Sequence, residues 1–503
     1  MRTTVIGALL AAALAAGAPA ATIVGTDRAE RIAGTPRADL IVAGGGRDVV
    51  ESRRGDDRVA VQYDGARDIV RCGAGRDVVT ADRIDAVAAD CEIVGRLVSR
   101  DTYKTPDGQH ETQVEPHALA AGSTIVATFQ SGRRHRGGAA DIGFSTSRDG
   151  GRSWQGGHLP ALTVNSRPAG RAAYASDPVV AYDARRGVWL ISTLAVSPGL
   201  TELYFSRSTD GLRWAAPVVA ARFSSGSLAF DKNWAACDTW PQSPFFGRCY
   251  LAYTEHVTRM PRMAVQFSDD GGLTWSEAVI AVRAAEVVGV LPLPRPDGSL
   301  VVPYLGDGEM QSVRSTDGGL SFEQPVTIAR YGHRPLSGIR SFPLPTADVD
   351  AQGRVYVAWQ DCRFRAACTA NDVILSTSQD GVTWSQPARL TRDGGTAFVP
   401  ALAVDRATGR LALAYHRCTG SPCRIDVLLS RSRDGGASWG RPQLVNAQPM
   451  RTAWLPTTTS GRMVGDYIGL SWSRGRPVAV YSLASPPRGG ALRQAIAAMR
   501  SLP

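Results

Sequence analysis

Along residues 112–500 apolar positions come in short runs that alternate with polar ones at a period of two, the pattern of half-buried strands rather than helices. One stretch reads Ala347 to Asp350, Val355 to Gln360 and Val373 to Thr377; the next reads Ala401 to Asp405, Leu411 to His416 and Val427 to Arg431. The third run of each set leads into a Ser-x-Asp-Gly phrase that closes on an aromatic residue. The six copies centre on Asp149, Asp210, Asp270, Asp317, Asp380 and Asp434, and close on Trp154, Trp214, Trp275, Phe322, Trp384 and Trp439. Successive aspartates lie 61, 60, 47, 63 and 54 residues apart, a period that signals a repeat architecture. A further unit follows the last copy, at Asp466 to Trp472, Val478 to Leu483 and Leu492 to Met499. It lacks the phrase and a fourth strand, so its open edge is expected to be closed by residues just before Glu115. The count is seven units, with six as the alternative.

Each phrase has the chemistry of a hairpin turn. Asp or Ser caps backbone N–H groups, Gly supplies positive φ, and the aromatic ring anchors the turn under the next strand. The phrases resemble the Asp box, or bacterial neuraminidase repeat, of the sialidase superfamily. That resemblance implies an all-β chain with a β-propeller over residues 112–503. Sialidases have six blades, one fewer than the count made here. The Asp box itself is structural and argues for fold, not reaction.

A different repeat precedes it. Asp39, Asp48 and Asp57 are nine residues apart, Asp68 and Asp77 resume the spacing after a two-residue slip, and each has an aliphatic residue two positions later, from Ile41 to Val79. With Gly44-Gly45-Gly46 and Gly73-Ala74-Gly75 before the best copies, residues 22–100 resemble the nonapeptide repeat of RTX proteins. The resemblance implies a small N-terminal β-roll holding Ca²⁺, a hard cation served by carboxylates and turn carbonyls, with Asp48, Asp57 and Asp77 as ligands. Asp48 and Asp77 have the more open turns, because Arg53 and Arg54 crowd Asp57. Arginines that precede several of these aspartates offer a second way to neutralise them, by pairing.

Arg2, the apolar run Val5 to Ala16 and Ala18-Pro19-Ala20 read as a signal peptide over residues 1–21. No later run is long enough to span a bilayer. The eight cysteines fall into near neighbours, Cys72 with Cys91, Cys237 with Cys249, Cys362 with Cys368 and Cys418 with Cys423, so four local disulfides are expected in a secreted, extracellular chain. The formal net charge of +10 comes from arginines scattered among acidic residues, without the basic stripe that nucleic acid requires.

The inner strands of a propeller enter around a central channel on one face, which brings distant residues together. Here those positions hold Glu115, Asp177, Asp231, Arg340 and Asp466-Tyr467. Such carboxylates suit acid–base chemistry or a cation, while an Asp before Pro also serves simply to cap a turn. By resemblance to sialidases, Tyr467 matches the nucleophile by residue type, the carboxylates Glu115, Asp177, Asp231 and Asp466 match its assistants, and Arg340 and Arg451 match the clamp on a sugar carboxylate. The Phe/Tyr-Arg-Ile/Leu-Pro motif that carries the first sialidase arginine does not occur in the opening unit. The function expected is a sialidase-like glycoside hydrolase acting on an extracellular glycan or glycoprotein. The alternative is a non-catalytic propeller that binds glycan, protein or cell wall. An arginine triad converging beside Tyr467 would separate the two.

Overall fold

The computed structural model describes residues 21–224, 229–256 and 260–500, and almost all of its regular structure is β. The expected signal peptide lies outside the described residues, apart from Ala21.

Residues 22–97 wind into stacked coils. Thr22–Val24, Leu40–Val42, Arg58–Val61, Val78–Ala81 and Ile93–Leu97 make one parallel sheet, and Arg31–Ala33, Val49–Glu51, Ile69–Arg71 and Ala86–Val87 make the other. The nine-residue spacing is therefore half a coil. Ile41, Val50, Val59, Val70 and Val79 all point inward and are fully buried. Ile41 stands over Val59 and Val59 over Val79, so the slip after Asp57 lengthens one coil without breaking the column. Cys72 and Cys91 bridge the end of the stack.

The rest of the chain repeats antiparallel sheets. Phe230–Cys237, Cys249–Glu255, Arg262–Ser268 and Val279–Arg283 form one such four-stranded meander. The first strands of successive antiparallel units, Gln113–Ala121, Tyr174–Asp183, Phe230–Cys237, Leu293–Pro294, Thr346–Val349, Thr396–Asp405 and Gly469–Ser473, touch in order, and the last returns to touch the first.

The Ser-x-Asp-Gly turns are built as their chemistry predicts. Asp149 Oδ1 accepts the N–H groups of Arg152 and Ser153, both at 2.9 Å, Asp149 Oδ2 accepts the Ser153 hydroxyl at 2.6 Å, and Ser147 Oγ accepts the Gly151 N–H at 2.8 Å. The aromatic anchor behaves differently from expectation. Trp214 lies against Phe144 and Trp275 stacks on Phe205, each in the preceding repeat unit, so the ring ties a turn to its neighbour rather than to its own next strand. Arginines work in the other direction. Arg207 Nε donates to Gly271 O at 2.7 Å, Arg248 Nη1 to Gly318 O at 2.9 Å and Arg314 Nη1 to Asp380 O at 2.9 Å, each reaching the following turn. This is where many of the scattered arginines go.

The edge strand of the last sheet comes from farther back than expected. Ile93–Leu97 pairs with Ala491–Arg500, with Leu97 opposite Ala497 and Gly95 opposite Met499, while the segment just before Glu115 reaches that strand only in a single bridge from Thr112 to Gln494. The reason is distance, because the chain must cross from the outer edge of one sheet to the inner strand of the next, and residues 98–112 make that crossing. The same strand ends the coil stack, so one sheet runs from Thr22–Val24 through Ile93–Leu97 to Gly469–Ser473. Ala60, Val78, Ile93 and Leu97 share a core with Leu483, Ala497 and Met499, and Arg58 Nε donates to Ala447 O at 2.6 Å.

All four expected disulfides are present. Cys362–Cys368 and Cys418–Cys423 each close the loop between the second and third strands of their sheet.

Candidate functional site

Four inner strands carry the same irregularity. Their pairing slips between Val114 and His117, Ser176 and Val179, Asp231 and Trp234, and Phe398 and Ala401. At each slip one non-glycine residue adopts a left-handed backbone, Glu115 at φ 55°, Asp177 at 46°, Lys232 at 49° and Val399 at 47°. A bulge of this kind re-aims a side chain, at a cost in strain of about 1–3 kcal/mol that the surrounding packing must offset. Three of the four precede proline, so the Glu-Pro, Asp-Pro and Val-Pro pairs mark bulges rather than turn caps.

The bulges gather charge around Lys232. Lys232 Nζ donates to Asp466 Oδ2 and stands 3.8 Å from Glu115 Oε1 and 4.0 Å from Asp177 Oδ1. Arg340 grips the same aspartate, Nε donating to Oδ1 at 2.7 Å and Nη2 to Oδ2. Gln130 donates to Glu115 and, at 3.1 Å, to Ser176 Oγ, and Arg133 Nη1 donates to Gln130 Oε1 at 3.1 Å. Asp231 accepts the Lys232 backbone N–H at 2.9 Å. The Tyr467 hydroxyl donates to Pro178 O at 3.2 Å, and its ring meets Trp234 edge-on at 5.3 Å. Behind the cluster a cavity of about 500 Å³ continues between the inner strands, with His117, Leu291, Leu344 and Ile468 among its walls.

Glu115, Asp177, Asp231, Arg340, Asp466 and Tyr467 are thus brought together. Arg451 is not among them, being exposed and lying over Trp454, 5.7 Å from the ring centroid. Lys232 and Arg133 were not singled out from the sequence. Lys232 had one signal, its place beside Asp231 at the start of an inner strand, whereas Arg133 sits at the end of a second strand with nothing local to mark it.

The electrostatics divide the carboxylates. Burial pushes Glu115 up to about 7, with Asp177 and Asp466 adding to it against the pull of Lys232. Burial, then Asp177, also raise Asp231. Burial acts on Asp466 too, yet Lys232 and Arg340 outweigh it and hold that carboxyl well below the usual carboxylate range. Burial, with Glu115 and Asp177 nearby, keeps the Tyr467 phenol protonated far above its ordinary value. Burial alone pushes His117 down to about 3, leaving a neutral imidazole that accepts the Val180 N–H at 3.0 Å.

In the coil stack each carboxylate caps the coil before it. Asp48 Oδ1 accepts the Glu30 N–H, Asp57 Oδ1 that of Asp39 and Asp77 Oδ1 that of Asp57, all at 2.8 Å. The second oxygens of Asp48, Asp57 and Asp77 are buried without a partner. Burial pushes Asp57 up to about 6 and Asp77 to about 7, and raises Asp48. Among the described residues no arginine pairs with any of the three, so neutralisation by arginine is not what the fold adopts. Nor do three carboxylates, histidines or cysteines meet as a metal-holding group among the described residues. The free oxygens suit a hard cation, and Ca²⁺ here would draw most of its remaining ligands from backbone carbonyls.

Residues 123–351 match the BNR repeat-like domain, and residues 24–59 match the RTX calcium-binding nonapeptide repeat. The Asp-box and nonapeptide resemblances are both borne out. No curated protein matches the chain. Among solved structures a Hadza microbial sialidase is 17% identical, covering 64% of this chain and 66% of that one with a TM-score of 0.45. The NanB sialidase of Streptococcus pneumoniae is 11% identical, covering 81% and 70% at 0.42. A polysaccharide lyase, an ulvan lyase, is 12% identical, covering 79% and 95% at 0.47.

Proposed function

We propose that this chain, with its BNR repeat-like domain behind RTX nonapeptide repeats, is an exported seven-bladed propeller that recognises an extracellular glycan without hydrolysing it. The supporting observation is the occupancy of Asp466. Its two oxygens hold both Lys232 and Arg340, so the guanidinium suited to a sugar carboxylate is already engaged. Attack by Tyr467 would need its phenol deprotonated, and that hydroxyl instead donates to Pro178 O in surroundings that keep the proton on. On this reading the cluster is a keystone that joins the first, second, third and last inner strands around one lysine.

Hydrolysis is the second reading, favoured by Glu115, whose carboxyl at about 7 is poised as a general acid. A panel of fluorogenic glycosides including a sialoside, run beside a glycan-binding array, separates the two. Binding without turnover is expected. Turnover that Tyr467→Phe abolishes would overturn the proposal.

Calcium on this reading is structural. Asp57 and Asp77, stacked one coil apart, and Asp48, on the opposite side of the coils, would each offer it a free oxygen, and its charge would relieve the buried carboxylates. The four disulfides suit an oxidising, extracellular setting, and residues 1–21 would serve as the leader.

A further inference from the structure

The chain has two lysines among its 56 basic residues. Lys232 is the buried hub of the channel cluster. Lys104 is exposed, in the segment that crosses from the coil stack to the first inner strand, and it lines a second cavity of about 660 Å³ with Arg167, Asn165, Thr102, Thr105 and Tyr103.

Arg133 donates to Gln130 and to Gly138 O, Arg134 pairs with Asp107 and lies over the Tyr174 ring, and Arg340 holds Asp466. Among the described residues, Lys104 and Arg167 make no ion pair and no side-chain hydrogen bond. Two unpaired cations in one concavity attract an anion, and the guanidinium fork matches the paired oxygens of a carboxylate or sulfate. The remaining wall offers hydroxyls and an amide, the groups that sugar hydroxyls bond. One of them, Thr105 Oγ1, is buried without a partner.

The floor of this cavity is rigid. Asp141 is fully buried, and its oxygens accept the Tyr103 hydroxyl at 2.7 Å and the Ser166 hydroxyl at 2.9 Å. The Tyr103 ring meets His158 edge-on at 4.7 Å, and His158 is bonded to Ser131 Oγ at 3.2 Å. Asp141 is spent on these contacts, so it fixes Tyr103 and Ser166 in place and leaves the wall cationic. The volume lies within the range of small-ligand pockets, roughly 300–1,000 Å³.

We propose that this cavity is the subsite for the acidic group of an extracellular saccharide, a carboxylate or sulfate ester bound between Lys104 and Arg167. It rests on the glycan-recognition reading and places the specificity for charge at the rim of the first sheet, away from the channel mouth.

Calorimetry on the full chain tests it with three probes, a tetragalacturonate, a sulfated galactan tetrasaccharide and a neutral galactan tetrasaccharide. An acidic probe is expected to bind and the neutral one not to, and the better of the two acidic probes identifies the group. Lys104→Gln and Arg167→Gln should each weaken binding about tenfold, the scale of one lost charge-assisted hydrogen bond. Both side chains are exposed, so folding is not at stake. Acetylation with an N-hydroxysuccinimide ester should reproduce Lys104→Gln, because the Lys232 amine is buried against Asp466. Acidic binding that survives both substitutions but is lost in Arg340→Gln would move the ligand to the channel mouth, ending this inference while glycan recognition stands. Equal binding of the neutral probe would remove the role of charge. Failure of every saccharide to bind would end the recognition reading and this subsite with it.

Discussion

Two sets of aspartates in this chain accept backbone N–H groups, and they are pushed in opposite directions. In the turns of the antiparallel sheets Asp149 and Asp270 sit at the surface, each fed by several donors, and although burial opposes the shift their hydrogen bonds hold them down at about 2. In the coil stack Asp57 and Asp77 each cap the coil before them, keep an oxygen without a partner and are wholly buried, and burial raises them to about 6 and about 7. The residue and its main bond are the same in both places. What differs is solvent and the number of donors, and together these decide whether a capping carboxylate stabilises its turn as an anion or strains the interior that holds it.

The largest test asks whether the two regions are separate at all. Because Ile93–Leu97 ends the stack and also edges the last sheet, a chain that begins after Leu97 is expected to lose cooperative folding of the antiparallel part, not merely its stack. Circular dichroism should show one thermal transition for the full chain and none for the shortened one. A folded truncated chain would make the stack a detachable module.

Next in size is Lys232→Met. Asp466 is a buried carboxylate held low by cations, the counter-example to Asp77. Removing one partner of a buried pair costs about 3–5 kcal/mol, because the remaining charges lose their compensation. Lys232→Met should unfold far more readily than Lys104→Met, and equal stability would deny the cluster its keystone role.

The turns and the coils were legible in the sequence, because both are local. Ser-x-Asp-Gly with an aromatic residue carries its own hydrogen bonds, and nine-residue spacing becomes half a coil whatever surrounds it. The convergence of Glu115, Asp177, Asp466 and Tyr467 followed from repetition alone. The pairings within that cluster did not, since Lys232 and Asp466 are 234 residues apart and nothing near either names the other. The left-handed backbone before Pro116, Pro178 and Pro400 was equally hidden, as Asp-Pro reads first as a turn cap. The edge strand Ile93–Leu97 was missed because its aliphatic pattern serves two sheets at once.

A paired substitution measures the contrast directly. Asp149→Asn keeps the shape of the turn but weakens its anion-assisted caps, at a cost of about 1 kcal/mol. Asp77→Asn retains an acceptor for the Asp57 N–H while removing a buried charge, so without calcium it should be neutral or stabilising at pH 7, and any stabilisation by added calcium should shrink. Chemical denaturation with and without a chelator reads both. A loss for Asp77→Asn equal to that for Asp149→Asn, with chelator present, would show that burial is not what separates the two sets.

The smallest effect is a bend in stability against pH, and its sign follows from the same shifts. A group raised in the folded state binds protons that the unfolded chain releases. Asp57 and Asp68 at about 6, and Asp77 and Asp85 at about 7, against an ordinary 3.8, should therefore lose stability as pH climbs from about 4 to 7. The turn aspartates at about 2 do the reverse, contributing fully above 3.8 and fading as pH falls through 2. Since one sheet joins the regions, both limbs belong to one transition, and melting temperature in chelator should peak near pH 4–5, between the two sets of shifts. The slope is limited to about 1.4 kcal/mol per pH unit for each differing proton, and partial solvation makes it gentler. Calcium binds the ionised form, so adding it should flatten the upper limb and leave the lower one unchanged. A melting temperature that rises steadily from pH 4 to 7 in chelator would show that the stacked carboxylates are not held above their ordinary range, and the opposition between the two sets would fail.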